Sequence, residues 1–395
     1  MQRFFSYTIL SFFLLLLPTG QASANNNDSI RLSLLTCAPG EEIYSLFGHT
    51  AIRYENSSQG IDVVFNYGLF SFNTPNFIFR FSLGETDYQL GATDYERFAA
   101  EYAFFGRSVW QQTLNLTDEE KTELIRLLQE NYRPENRVYR YNFFYDNCAT
   151  RPRDKIEESI AGKVIYPAEP QDGSLTFRDI VHQYCKGHPW ARFGIDLCIG
   201  SEADQPITQR QMMFAPFYLM DAFDGAQIKG DSIQRPLITA NELVVDATPE
   251  PDESDWMPTP LQCSLLLFIL TAAATIYGIR RRTGLWGIDL FLFGIAGIVG
   301  CVLAFLALFS QHPAVSSNFL LLVFHPGQLL FLPYIIYCVR KGKKCWYLTL
   351  NLAVLTLFIV LFPVIPQRFD FAVVPLALVL LIRSASNLIV TSKKK

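Results

Sequence analysis

Two residues in this chain have the types and setting for nucleophilic chemistry. Cys148 stands in Tyr145-Asp146-Asn147-Cys148-Ala149-Thr150-Arg151, about a hundred residues after the histidine of Phe47-Gly48-His49-Thr50-Ala51-Ile52-Arg53. A thiolate is the reactive form of cysteine, and an imidazole within hydrogen-bond reach is the usual way to generate it near neutral pH. A third group should orient that imidazole. Asn66 and Tyr67 stand at comparable height on the next strand, and Asn66 is the candidate. An exported cysteine is more often structural, and a lone histidine more often a satisfied core residue. The elements around the pair must therefore bring them together.

Short alternating runs at Thr50 to Tyr54 and Ile61 to Tyr67, separated by Asn56-Ser57-Ser58-Gln59-Gly60, predict a hairpin. Gly48 permits close backbone approach beside the histidine. Thr93-Asp94-Tyr95-Glu96 and Thr117-Asp118-Glu119-Glu120 read as N-caps with an acid in the first turn, so two helices should follow. The second, from Leu116 to Arg133, should end at Pro134. Val138 to Phe144 alternates as a strand running into Asn147-Cys148, and Asp154 to Ile160 reads as helix. Cys148 would then sit near a helix start, where free N–H groups and the dipole favour a thiolate and can hold an oxyanion. Further on, Ser174 to Arg178 opens a helix, Trp190 to Gly200 reads as loop, and Ile207 to Phe223 as a last helix.

The chain's apolar residues concentrate after Leu261. Arg3, the apolar run Phe4 to Leu17 and Ala22-Ser23-Ala24 make residues 1–24 an expected signal peptide; the apolar core is shorter than the ~20 residues a span needs. Residues 25–245 would form an extracytoplasmic domain, and 246–260, rich in Pro, Asp and Glu, a linker. Within 261–395, five apolar segments at about 261–279, 286–310, 319–339, 346–365 and 371–390 are candidate spans. Arg280-Arg281-Arg282, Arg340 to Lys344 and Lys393-Lys394-Lys395 follow the first, third and fifth, so the positive-inside rule puts these ends in the cytoplasm and the soluble domain outside. Polar residues Asn318, His325 and Gln328 near or within the third segment read either as contacts to a lipid headgroup or substrate, or as groups satisfied around a kink at Pro326. Asp289 reads as interfacial.

With 33 basic and 37 acidic residues there is no basic field for nucleic acid. The eight cysteines have no zinc-site spacing. In an oxidising compartment Cys185 and Cys198 can pair, leaving Cys148 free.

The motifs around His49 and Cys148, with Asn66-Tyr67-Gly68 and Trp190-Ala191-Arg192-Phe193-Gly194-Ile195-Asp196-Leu197, resemble the lipoprotein N-acyltransferase family of Bacteroidota. The resemblance covers roughly residues 30–225 and a membrane region of similar plan. It implies an α+β class, with a permuted papain-like (lecithin:retinol acyltransferase-like) extracytoplasmic domain in which His precedes Cys, followed by an α-helical membrane domain of five spans. It further implies Cys148 as nucleophile and His49 as base, with Asn66 inferred from geometry as the third group. Asn147, Arg151, Tyr67 and Arg53 in these motifs, with His325 and Asn318, are candidate substrate-binding residues. A membrane phospholipid would be the acyl donor and a diacylated lipoprotein the acceptor. The protein would be multi-pass in the bacterial inner membrane with its catalytic domain in the periplasm, and no metal or cofactor is expected. Two rivals stay open: a membrane-anchored thiol peptidase or amidase, for which five spans are more than an anchor needs, and a non-enzymatic envelope assembly or sensor protein.

Overall fold

The computed structural model describes residues 29–71, 73, 75–167, 175–230, 234–247 and 257–392. The expected signal peptide, most of the linker and Lys393-Lys394-Lys395 lie outside these residues. The strands are Ile30–Cys37 (β1), His49–Asn56 (β2), Ile61–Leu69 (β3), Asp87–Asp94 (β4), Val109–Leu114 (β5), Val138–Arg140 (β6), Lys163–Ile165 (β7), Gln227–Lys229 (β8), Gln234–Pro236 (β9) and Ile238–Val245 (β10). Helices of the first domain are Phe77–Leu83 (α1), Tyr95–Phe104 (α2), Asp118–Tyr132 (α3), Thr150–Ser159 (α4), Phe177–Tyr184 (α5), Pro189–Cys198 (α6), Gln209–Met212 (α7) and Pro216–Asp224 (α8). The membrane domain adds Pro260–Arg281 (α9), Trp286–Phe309 (α10), Gly327–Leu330 (α11), Leu332–Lys341 (α12), Trp346–Leu361 (α13) and Val373–Ser392 (α14).

Alternation along β1 sets the layering. Leu32 and Leu34 enter one core, Leu35 and Cys37 another, because successive side chains of a strand point to opposite faces. The first core receives Leu124 and Leu128 of α3, Ile156 of α4, and Leu219 and Phe223 of α8; the second receives Phe98 of α2. Between them lies a seven-stranded sheet in the order β10-β5-β1-β2-β3-β4-β6, antiparallel throughout, and β7-β8-β9 form a small second sheet. The expected hairpin is β2–β3, with Ala51 opposite Asn66. The capping box at Thr117 and Glu120 starts α3.

Several expectations change. Trp190 to Gly200 is the helix α6 rather than a loop: Pro189 occupies its first turn, where a missing N–H costs nothing, and Phe193 and Leu197 bury against the membrane domain. The helix expected over Ile207 to Phe223 is two pieces, because Pro216 cannot continue the first and instead begins α8. Only Val138–Arg140 of the expected strand pairs; the chain then turns through an Asn142–Asp146 bridge. Helix α4 begins at Thr150, ahead of Asp154. Cys185 and Cys198 are both free thiols.

Among the described residues of the membrane domain, three helices are long and apolar enough to cross a bilayer: α9, α10 and α14. The third expected span is broken. A 3-10 turn at Phe319–Leu322, then α11 and α12, pass the same test only as a pair bent by 74°. Pro326 and Pro333 interrupt the backbone ladder there, and Gly300 of α10 leaves room for the break, since a Cβ on it would come within 2.5 Å of His325 Cα. Helix α13 has 16 residues, shorter than the segment expected. Asp289, in the first turn of α10, is buried and accepts from Arg383 at 2.7 and 3.0 Å, joining α10 to α14.

The loops at 311–318 and 367–370 seat the first domain on the membrane domain. Gln311 N–H donates to Leu83 at 2.8 Å, Asn318 Nδ2 to Leu197 at 2.7 Å, and Arg368 to Asp179 and Asp204 at 2.5 and 2.9 Å. Behind Arg368 lies Arg178, fully buried, which donates to Asp196 at 2.6 Å, Asp204 at 2.8 Å and the carbonyls of Ile199 and Gly200. Arg178→Leu would leave Asp196 buried with only His182 beside it. That variant should cost about 3–5 kcal/mol of stability, read as a lowered thermal midpoint of the full-length protein in detergent; an unchanged midpoint would show the cluster to be energetically neutral.

Candidate active site

One buried amide shapes the turn that carries Cys148. Asn147 Nδ2 donates to the carbonyls of Phe143 at 2.8 Å and Phe214 at 2.9 Å, while its Oδ1 accepts from Ala149 and Thr150 N–H at 2.8 and 3.0 Å. The Asn147 N–H in turn donates to Thr150 Oγ1 at 2.8 Å. Asparagine thus does the work of a helix cap, and Cys148 falls between the cap and the first turn of α4. The backbone N–H groups of Thr50, the residue after His49, and of Cys148 itself favour the thiolate form of Cys148. The strand bearing His49 therefore runs beside the cysteine.

His49 opens β2. Ala51, two residues on, shares its face and lies opposite Asn66, so His49 and Asn66 are diagonal neighbours. The ring Nε2 lies 3.0 Å from Asn66 Oδ1. An amide oxygen only accepts, so Nε2 carries the hydrogen and Nδ1 is left as the basic nitrogen. Gly48, with φ of 77°, is required just before it: a Cβ there would sit 2.5 Å from the Cys37 carbonyl oxygen.

Burial dominates the electrostatics. It pushes the Cys148 thiol up to about 11, against the lowering effect of the two backbone N–H groups. It lowers His49 to about 4, with Asn66 opposing and Arg107 assisting. Both groups are neutral at rest, as a poorly solvated site requires. The wall is aromatic. Cys148 Cβ, the Tyr139 hydroxyl and Tyr141 all lie within 4 Å of where a Cβ on Gly68 would stand, and Tyr88 stacks on Tyr141 with centroids 4.2 Å apart. The Tyr139 hydroxyl is buried without a hydrogen-bond partner.

The structure draws together Cys148, the strand of His49, and Asn66. It gives the other expected residues partners within the protein. Asn147 spends its whole amide on the turn. Arg151 pairs with Asp146 at 2.6 and 2.8 Å and lies over the Tyr139 ring. Tyr67 is fully buried and donates to Asn131 at 2.8 Å. Arg53 is held by Asp62 and Gln111 and stacks on Tyr95. Asn318 ties the membrane domain to α6. His325 meets Asn351 of α13 at 3.3 Å, and Asn351 donates to Ser384 of α14 at 3.0 Å, while Gln328 Nε2 donates to the Val323 carbonyl and its buried Oε1 has no partner. Unanticipated from sequence are Thr50, which contributes only backbone, and the tyrosines 88, 139 and 141, whose signal was the alternation of Tyr139 and Tyr141 ahead of the cysteine.

Fold and site together define a membrane-integral protein whose sheet-rich domain carries a thiol, an imidazole and an amide at one end of its sheet. Two family models match the sequence: the Lnb N-terminal periplasmic domain over residues 20–182 and the Lnb transmembrane domain over residues 252–395. These account for more than three quarters of the 395 residues, and the chain belongs to the Lnb family, the lipoprotein N-acyltransferase family of Bacteroidota. No curated protein and no solved structure matches it. The first domain is therefore periplasmic, and family membership points to lipoprotein N-acylation.

A thiol raised to about 11 reacts through a small thiolate fraction that grows with pH. Carboxamidomethylation of Cys148, followed peptide by peptide by mass spectrometry, should therefore accelerate about tenfold per unit between about pH 7 and 9. A rate already at plateau in mild acid would reveal a resting thiolate–imidazolium pair instead.

Proposed function

We propose that the chain moves a fatty acyl group from a membrane phospholipid, through a thioester on Cys148, to the N-terminal amine of a diacylglyceryl-cysteine lipoprotein. The observation that carries this reading is the His49–Asn66 pair on strands that run beside Cys148, whose Cβ lies 3.5 Å from where a Cβ on Gly68 would stand, in a domain bonded to the outer loops of membrane helices.

His49 Nδ1 takes the thiol proton as Cys148 Sγ attacks the ester carbonyl. Because burial disfavours both charged forms, proton transfer and attack go together rather than through a standing ion pair. Ala149 and Thr150 N–H are held by Asn147, so the Cys148 N–H is the backbone donor of this turn that receives the oxyanion. The imidazolium then protonates the departing glycerol oxygen and a lysophospholipid leaves. The lipoprotein amine attacks the thioester carbonyl, its surplus proton passes to Nδ1, and the expelled sulfur recovers that proton. The products are an amide and free Cys148. A poorly hydrated site slows competing hydrolysis of the thioester. These steps call for no metal or diffusible cofactor.

The permuted papain-like assignment draws support from the order of parts: the strand of His49 precedes the helix of Cys148, and that helix packs on the sheet. Five crossings follow if the bent α11–α12 pair counts as one and α13 with its 3-10 extension Phe362–Val364 as another. The basic ends of α9 and α12 would then face the cytoplasm, which supports an inner-membrane location with residues 1–24 removed. Trp190 to Leu197, part of the family-like sequence, is the helix that docks on the membrane domain, which favours acyl transfer over a soluble-substrate peptidase on an anchor.

In cells with no other copy, Cys148→Ser should abolish lipoprotein triacylation and His49→Ala should reduce it about 10²–10⁴-fold, with a smaller loss for Asn66→Ala, all read by lipopeptide mass spectrometry. Full triacylation in both of the first two variants would sink the proposal.

A further inference from the structure

Helix α1 is apolar yet unburied. Of its seven residues, Phe77, Ile78, Phe79, Phe81 and Leu83 are apolar and none is buried; Ile78 and Phe79 are 80% and 59% exposed. In water that face would be costly, since an exposed apolar side chain forgoes about 1.5–3 kcal/mol. Its position removes the difficulty. Phe79 packs on Phe305 of α10 with centroids 5.9 Å apart, Leu83 accepts from Gln311 just beyond the outer end of α10, and Gly84 lies so close to that loop that a Cβ on it would stand 2.8 Å from the His312 nitrogen. Helix α1 is therefore level with the outer end of a membrane helix. Its one charge turns away from the apolar face: Arg80 donates to the Glu85 carbonyl at 3.0 Å and to Asp87 at 2.8 Å, and Asp87 is also held by Arg140. An apolar face outward and an anchored cation inward is the pattern of a helix lying in the interfacial plane of a bilayer.

Aromatic rings continue from this helix to the thiol. Phe77 stacks on Phe70 at 5.7 Å, Phe70 on Tyr88 at 4.9 Å, and Tyr88 on Tyr141 at 4.2 Å, beside Cys148. We propose that α1 lies in the outer leaflet and that the row Phe77, Phe70, Tyr88, Tyr141 is the track along which one acyl chain of an outer-leaflet phospholipid brings its ester to Cys148. The occupant is the donor lipid, because the row begins at the bilayer surface itself, continuous with α10. The track's purpose rests on the acyl-transfer reading; the lipid contact does not.

The test uses the full-length protein in phosphatidylethanolamine nanodiscs containing a phospholipid with a diazirine on its acyl chain. Photo-crosslinks mapped by mass spectrometry should fall on Phe77, Phe79 and Tyr88 as well as on α10. Crosslinks confined to the membrane helices would overturn the proposal. In parallel, the double variant Ile78→Ser, Phe79→Ser, which touches no buried side chain, should slow formation of the Cys148 thioester from long-chain phospholipid about tenfold while leaving Cys148 alkylation by iodoacetamide unchanged. Unchanged acylation would overturn the track. Crosslinks on α1 and Tyr88 in a protein that forms no thioester would uphold the lipid contact and reject the acyl-transfer reading instead.

Discussion

The buried amide of Asn147 is the constraint on which the site depends. Its oxygen and both hydrogens are committed: two carbonyls, from Phe143 and Phe214, and two N–H groups, from Ala149 and Thr150. Those bonds close the turn from Phe143 to Thr150 and tie it to Phe214, 67 residues on, which carries the link into the aromatic core formed with Phe47, Phe144 and Phe177. Phe47 in turn precedes Gly48-His49. The position of the cysteine and the approach of the histidine are thus adjusted by one packed cluster. Aspartate at position 147 could accept the two N–H groups but would oppose two carbonyl oxygens, so the amide, not merely a polar group, is what the turn needs.

Low solvation governs the chemistry that such a site can perform. Cys148 and His49 are both held neutral by burial, in contrast to a thiol exposed at a helix start, where the dipole alone would pull its pKa down. The backbone N–H groups of Thr50 and Cys148 offset only part of that penalty. A neutral pair among tyrosines is poorly reactive towards solutes in bulk water and better matched to a substrate that arrives from an apolar phase. The same property that raises the thiol pKa would, in the proposed reaction, slow hydrolysis of a thioester.

The junction between the domains is built from charge. Charged groups buried at Arg178, Asp196 and Asp204 are extended by Arg368 from the membrane domain, and Asn318 and Gln367 exchange hydrogen bonds with the end of α6. Buried ion pairs repay their desolvation only with good geometry, which makes them better at fixing an arrangement than at adding stability. Here they fix the height of the periplasmic domain on the outer loops, and with it the height of α1.

Much was legible in the sequence. The His49 and Cys148 motifs, Asn66 across the hairpin, the capping box at Thr117 and the division into a soluble and an apolar part rest on local spacing and composition, which a linear chain displays directly. The Trp190 helix was not legible, because Phe193 and Leu197 become partners of a membrane domain far along the chain; the break at Pro216 is a local signal that the single-helix expectation missed, and the kink at Pro326 was one of two readings whose extent depends on the gap at Gly300 that admits His325. The same holds for Asn147, Arg151, Tyr67 and Arg53, whose polarity suggests substrate contact until their internal partners are seen. The sequence by itself determined which groups could react and that they lie outside a membrane. Only the tertiary structure decided that burial holds both neutral, that tyrosines lie beside the cysteine and that their domain docks on loops of the membrane domain, since desolvation and docking depend on neighbours brought together by folding.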